Sequence, residues 1–302
     1  GPLILETFAE HTRAFLQVQN GCDSRCSYCI VPHVRGPSRS VRRDDALEGI
    51  RTFARQGFQE VVLTGIHLGA FGLDLAPPTS LLELLSSADR ERIVPRLRLG
   101  SVEPTEISDE LIDLFATGQT ICPHLHIPLQ SGDDEVLAAM NRPYTSGFFR
   151  ELVEKLTAAA PSLCIGTDII AGFPGETDEA FERGYRFLET LPLAYFHVFP
   201  FSVRQGTPAA TMPDRIPPPL IKKRAEALRI LSSRKKRAYF ESFLGREVLV
   251  LIQEKRKSGK LSGLSRNYLS VSIPDGTEPL NTEVRVRITG IETNQVTGVV
   301  VR

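Results

Sequence analysis

Gly21-Cys22-Asp23-Ser24-Arg25-Cys26-Ser27-Tyr28-Cys29 is the stretch on which the reading of this chain turns. Three of its five cysteines fall here, spaced C-x3-C-x2-C, with no fourth nearby. Thiolates are soft ligands suited to zinc, copper(I) or an iron–sulfur cluster. Structural zinc requires a fourth ligand, for which His33 is the nearest residue of the right type. An electron-transfer ferredoxin would supply a fourth cysteine. Three thiolates on a 4Fe–4S cluster leave one iron open, and an open metal position is where substrate can bind. Incidental buried thiols would not crowd in this way in a chain so poor in cysteine.

Working outward, apolar runs alternate with helical patterns over the first 200 residues. Residues 14–18, 60–66, 96–102, 124–129, 163–171 and 195–201 read as strands, and the cysteine loop lies at the C-terminal end of the first. Residues 44–55, 81–85 onward, 107–115, 148–160 and 178–188 read as helices, with Ser108 a cap and Pro161 a stop. Six strands each followed by a helix or loop imply right-handed βα units and a parallel sheet. Their C-terminal ends then share one side, which should carry the chemistry. The pattern alone does not separate an open barrel from a flat doubly wound sheet.

The proline-rich stretch 213–219 marks a boundary. A basic helix over 220–240 follows, and short strands over 247–252, 260–263, 268–273, 284–288 and 296–301 make a small all-β barrel. Ser258-Gly259 and Pro274-Asp275-Gly276 supply turns. The expected division is a core over 1–214, a basic linker helix over 215–240 and a β-barrel over 241–302. The net charge of zero hides an asymmetry. Residues 1–214 carry 18 Lys and Arg against 28 Asp and Glu, whereas residues 215–302 carry 18 against 8. The basic part is suited to a polyanion. Arg35, Arg39, Arg42 and Arg43 beside the cysteine loop, and Lys235, Lys236 and Arg237 in the linker helix, are candidate phosphate contacts; a solvated charge run is the plainer reading.

A hydrophobic content of 41% and a charged content of 24% are those of a globular protein. No apolar run approaches the ~18 residues of a membrane-spanning helix, and no signal peptide is visible. Three cysteines that must stay reduced point to the cytoplasm. No G-x-S-x-G elbow or P-loop is present. Gly172, in the Gly-Phe-Pro-Gly loop ending at Glu176, can present backbone groups to a nucleoside, or simply turn tightly. Asp168 lies in an apolar run and needs partners, so it is either a satisfied structural residue or part of the active site, where it would be a cofactor-binding residue. Glu103 can accept from ribose hydroxyls, and Gln130 can hydrogen-bond substrate. His124 and His126 share a strand face and read as packing residues; Cys122 and Cys164 read as core.

C-x3-C-x2-C with Tyr28 before its last cysteine resembles the signature of radical S-adenosylmethionine (SAM) enzymes. The stretches 11–41, 61–69, 126–132, 140–142, 167–176 and 197–210 resemble more narrowly the radical SAM methylthiotransferases, and the C-terminal β-barrel resembles their tRNA-binding, OB-like TRAM domain. The resemblance implies a partial (βα)6 open TIM-type barrel followed by that β-barrel. It implies a 4Fe–4S cluster on Cys22, Cys26 and Cys29, whose free iron is chelated by SAM before SAM is split into methionine and a deoxyadenosyl radical. Tyr28 would pack near SAM, with Thr64 and Gly65 by its methionine end, Glu103 by the ribose, and Gly172 and Phe199 by the adenosine. Ile66-His67 and the His197-to-Ala210 run look most like the branch that methylthiolates C2 of N6-threonylcarbamoyladenosine beside the tRNA anticodon. The isopentenyladenosine branch usually has Gln-Asn at Ile66-His67, and a third branch modifies a ribosomal protein. The implied partners are the tRNA anticodon region and an electron donor such as flavodoxin or ferredoxin, with the protein monomeric and off the membrane. Family members begin with a domain whose three cysteines hold a second cluster. Cys122 and Cys164 cannot replace it, so a truncated form that cleaves SAM without completing methylthiolation is expected. The competing readings are an RNA-binding module with a structural cluster and a zinc-stabilised α/β protein.

Overall fold

A computed structural model describes residues 12–255, 259–274 and 276–301. His11 of the resemblance, and Ser258 and Asp275 of the two turn signals, lie outside the described residues. Strands β1 (Arg13–Asn20), β3 (Glu60–Gly65), β4 (Arg96–Leu99), β5 (His124–His126), β6 (Cys164–Ala171) and β7 (Tyr195–Pro200) run parallel in chain order. A bridge between Ser101 and His126 joins the two halves of the sheet, with Val102 N donating to His126 O at 3.0 Å. The arc is the six-stranded partial barrel. A two-residue strand β2 (Arg39–Ser40) pairs antiparallel to the end of β1 and covers that edge.

Helices α2 (Arg43–Arg55), α3 (Leu81–Arg90), α4 (Asp109–Thr117), α6 (Ser146–Ala159) and α7 (Asp178–Thr190) fall at the expected places. Ser108 does cap α4, and Ser80, Thr145 and Thr177 each accept an amide in the same way at α3, α6 and α7. β3 and β4 begin fully buried, as strands covered on both sides must be, and Leu16, Leu63, Leu84, Leu85 and Leu97 centre the core. The short helices α1 (Val31–Arg35) and α5 (Asp134–Ala139) were not anticipated, being too brief for a periodic signal. β5 ends at His126, not at residue 129. Beyond it Thr167 Oγ1 donates to Ile127 O and accepts from Leu129 N, and Tyr144 Oη donates to Pro128 O. Side chains thus replace the ladder that Pro128 interrupts, and Gln130 adopts a positive φ of 72° before meeting Ile169.

Helix α8 (Pro218–Glu241) packs Ala225, Leu228 and Leu231 into the core beside β7. Strands β8 (Glu247–Lys255), β9 (Leu261–Ser265), β10 (Ser270–Ile273), β11 (Glu283–Ile291) and β12 (Val296–Val300) close a second barrel with its own core around Val250, Leu261, Val271 and Val286. This barrel docks on the end of the first one where the strands begin. Glu60 opens β3 and Arg96 opens β4; both side chains are fully buried, with Arg96 Nε at 2.7 Å from the Glu60 carboxylate and Arg98 Nε also at 2.7 Å. The remaining guanidinium donors reach Glu283 and the carbonyls of Leu264, Ser265 and Arg266. Tyr268 stacks on His124 with ring centroids 3.9 Å apart. The β-domain therefore corks the foot of the barrel.

Burial works to raise the Glu60 carboxyl, but Arg98 and then Arg96 outweigh it and hold it below the ordinary carboxylate range. A depressed folded value gives stability that is present above the unfolded value of about 4.3 and is lost as pH falls through the folded one. Glu60→Gln leaves two buried guanidiniums short of charge and should cost ~3–5 kcal/mol in denaturant unfolding at pH 7. The gap to the parent should narrow as pH falls below about 4.

Candidate functional site

The cysteine loop leaves the C-terminal end of β1 at Gly21, whose positive φ of 74° and approach to Pro37 O leave no room for a Cβ. Gln19, buried beneath it, donates from Nε2 to Gly21 O and to Ser38 Oγ, each at 2.9 Å, and accepts at Oε1 from His67 N at 2.7 Å. The far side is clamped by the segment after α5. Ser27 N donates to Met140 O and Ser27 Oγ to Ala139 O, Asn141 Nδ2 donates to Arg25 O, and Ala209 N donates to Ser27 O. Tyr28 packs into a small apolar cluster with Val136, Met140 and Phe173.

The three thiols are half-exposed and free. Each of the other two cysteines is fully buried elsewhere, as expected of core residues. Donors converge on the loop sulfurs. Arg142 Nη1 lies 3.2 Å from Cys26 Sγ, Ser24 N 3.4 Å from Cys22 Sγ, and His67 Nδ1 3.5 Å from Cys22 Sγ. Hydrogen bonds to sulfur are among the levers that tune iron–sulfur sites. Zinc thiolate ligands would stand ~3.8 Å apart, from Zn–S bonds of about 2.3 Å. Neither the three thiols nor any set with His33 gathers within 4.8 Å. The loop fits a cluster with thiolates spread around it, and does not fit the zinc reading.

Arg142 is the hub that sequence reasoning missed. It also pairs with Glu103 and donates from Nε to Tyr144 Oη at 2.8 Å. Its three residues of motif carry no local sign of a contact 116 positions away. Beside it lies a cavity of about 280 Å³ lined by Ser24, Cys26, His67, Glu103, Glu106 and Arg142. Thr64 and Gly65 end β3 next to Gln19, with the ideal Cβ of Gly65 3.0 Å from Gln19 Oε1. Phe199 is exposed at the end of β7, and Gln130 stands half-buried at the turn after β5. In the glycine loop, Glu176 accepts from Gly172 N at 2.9 Å and from Arg224 Nη1 at 2.8 Å, so its carboxylate faces inward. Asp168 stands one layer deeper, 3.3 Å from His126 Nε2.

Arg35, Arg39 and Arg42 are exposed beside the cysteine loop, while Arg43 is half-buried against Asp44 and Glu83. Lys235 donates to the carbonyls of Glu189 and Leu191 at the end of α7, Lys236 lies over the Phe240 ring, and Arg237 pairs with Glu241. The two basic groups thus occupy different ends of the barrel.

Burial alone would raise the Cys22 thiol, but hydrogen bonds from His67 and Ser24 bring it below its ordinary value. Burial pushes Cys29 up. His67 is raised to about 10 by Cys22 and Glu106, whose carboxylate lies 2.6 Å from Nε2. His67→Ala removes the interaction that favours the thiolate. In cluster-free protein at pH 8, alkylation of Cys22 by iodoacetamide should slow several-fold, with Cys29 unchanged, as read by peptide mass spectrometry.

Residues 16–188 match the model of the Radical SAM superfamily. Threonylcarbamoyladenosine tRNA methylthiotransferase MtaB of Rickettsia prowazekii is 40% identical over 83% of this chain and 59% of its own length. The tRNA-2-methylthio-N(6)-dimethylallyladenosine synthase of Acetivibrio thermocellus is 36% identical over 96% of this chain and 61% of its own. The chain thus spans about three-fifths of the length of these curated relatives. In fold it is similar to the radical SAM methyltransferase TsrM of Kitasatospora setae, with a TM-score of 0.56, 20% identity, and coverage of 65% of this chain and 38% of that one. Among the described residues no helix is long and apolar enough to cross a membrane.

Proposed function

Because the chain belongs to the Radical SAM superfamily and its curated relatives are tRNA methylthiotransferases, we propose that it is the SAM-cleaving core of a tRNA methylthiotransferase. The observation that carries this is the three-cysteine loop with sulfur-directed donors and a polar cavity opening beside Cys26. Cys22, Cys26 and Cys29 would hold one 4Fe–4S cluster, which supplies the electron that cleaves bound SAM. Arg142 fixes Glu103 at the cavity wall, ready to accept from ribose hydroxyls. Thr64 and Gly65 offer a close backbone approach to the methionine end, and Gly172, Phe199 and Tyr28 flank the adenosine side. Gln130 faces the substrate.

The substrate we infer is N6-threonylcarbamoyladenosine next to the tRNA anticodon, on the likeness of Ile66-His67 and the 197–210 run to that branch. Arg35, Arg39 and Arg42 meet phosphates beside the cluster; Arg43, Lys235, Lys236 and Arg237 are weaker candidates because each is already engaged or partly covered. A flavodoxin or ferredoxin in the cytoplasm would deliver the electron to a monomer. Cys122 and Cys164 are buried on the strand side and offer no second cluster site, so this chain's own cysteines provide for one.

Anaerobic reconstitution should give about four irons per chain, and reductant with SAM should yield 5′-deoxyadenosine. Cys26→Ala should abolish both. About eight irons would overturn the single-cluster reading. A cluster without deoxyadenosine would favour an RNA-binding module. Tighter binding of an isopentenyladenosine stem-loop than a threonylcarbamoyladenosine one would move the chain to the other tRNA branch.

A further inference from the structure

Below the cofactor cavity, three adjacent strands each bring one ligand-type side chain to a common point. These are His126 at the end of β5, Asp168 in the middle of β6 and His197 on β7, with Asp168 and His197 directly paired in the sheet. One ligand atom from each lies within 4.8 Å of the other two. Among the described residues this is the one group of three His, Cys, Asp or Glu side chains so gathered.

The geometry at its centre is not that of a hydrogen bond. His126 is nine-tenths buried, and its Nε2 has no hydrogen-bond partner although Asp168 Oδ1 is 3.3 Å away. Two ligands of one tetrahedral zinc-class ion, with bonds of about 2.0–2.1 Å, stand ~3.3–3.4 Å apart. The other ring nitrogen, Nδ1, is held at 2.9 Å by Ser101 Oγ. That contact fixes the ring and aims Nε2 at the gap, the arrangement by which metal-bound imidazoles are oriented. Asp168 supplies the negative charge. An anionic ligand is disfavoured, because it would face that carboxylate.

We propose that His126 Nε2, Asp168 and His197 form a binding site for a single divalent transition metal of the zinc class, separate from the cysteine loop. His126 and Asp168 already stand at ligand spacing, and exposed His197 closes the third side by a small movement. Three protein ligands leave coordination open to the barrel interior, where a substrate oxygen or nitrogen can complete the shell.

The test uses the full chain with Cys22, Cys26 and Cys29 changed to serine, so that no cluster or thiolate site competes. Cobalt(II) should bind at one equivalent, with visible ligand-field bands and no sulfur charge-transfer band. His197→Ala, an exposed position whose loss spares the core, should weaken binding at least tenfold, as should Asp168→Asn. His126→Gln should do the same, with circular dichroism melting to confirm that it folds. In the cluster-reconstituted parent, one zinc should survive gel filtration and be absent from His197→Ala. Cobalt affinity unchanged by His197→Ala and Asp168→Asn, or no stoichiometric binding in the triple-serine chain, overturns the site.

Discussion

A single carboxylate at the foot of the barrel constrains most of this architecture. Glu60 begins β3, sits between the guanidiniums of Arg96 and Arg98 on the neighbouring strand, and sees no solvent. Two cations on one strand could not be buried without it, and their spare donors could not be satisfied without the carbonyls of β9 and its following turn. The strand ends of the first barrel and the docking of the second are therefore one electrostatic problem with one solution. Asn281 and Arg266 extend the seam by donating to Gly57 O and Gln119 O. Tyr268, held at a positive φ of 68°, drives its ring against His124 as the stopper.

At the opposite pole the controlling element is a loop without regular structure of its own. Its shape is imposed by Gln19 from beneath, by residues 139–142 from one side and by Ala209 from another. Each clamp takes up a backbone or side-chain polar group that would otherwise be unsatisfied. The sulfurs remain open to donors from His67, Ser24 and Arg142. Arg142 joins both tasks: it points at Cys26 while holding Glu103 and Tyr144, so one side chain ties the sulfur environment to the cavity wall.

Much of this was legible from residue order. Period-two and period-3.6 patterns placed all six parallel strands and the long helices, because burial on both faces writes continuous apolar runs. The cysteine spacing marked the loop, and a succession of short apolar runs marked the strands of the small barrel. What stayed hidden was long-range and polar. Gln19, Arg142, Arg224 and Tyr268 look like ordinary surface residues in the chain, and their roles arise only when remote carbonyls and carboxylates converge on them. β5 was read too long because Thr167 and Tyr144 bond across what a propensity argument takes for continuous ladder. The approach of His126 to Asp168, 42 positions away, is likewise invisible in residue order.

The corked foot has a consequence for shape selection. The exposed arginines border the open pole, whereas the lysines and arginine near the end of α8 lie toward the closed one. β6, with eight residues, measures the interval between them, and at about 3.3 Å per residue that is ~26 Å. A polyanion that grips both ends must lie along the barrel wall like a stave and span that interval. A duplex stem rising about 3.4 Å per base pair does so with roughly eight pairs. On the proposed function, an isolated nucleotide or short fragment would engage one end alone, and the spacing of the two basic groups would select substrates by length.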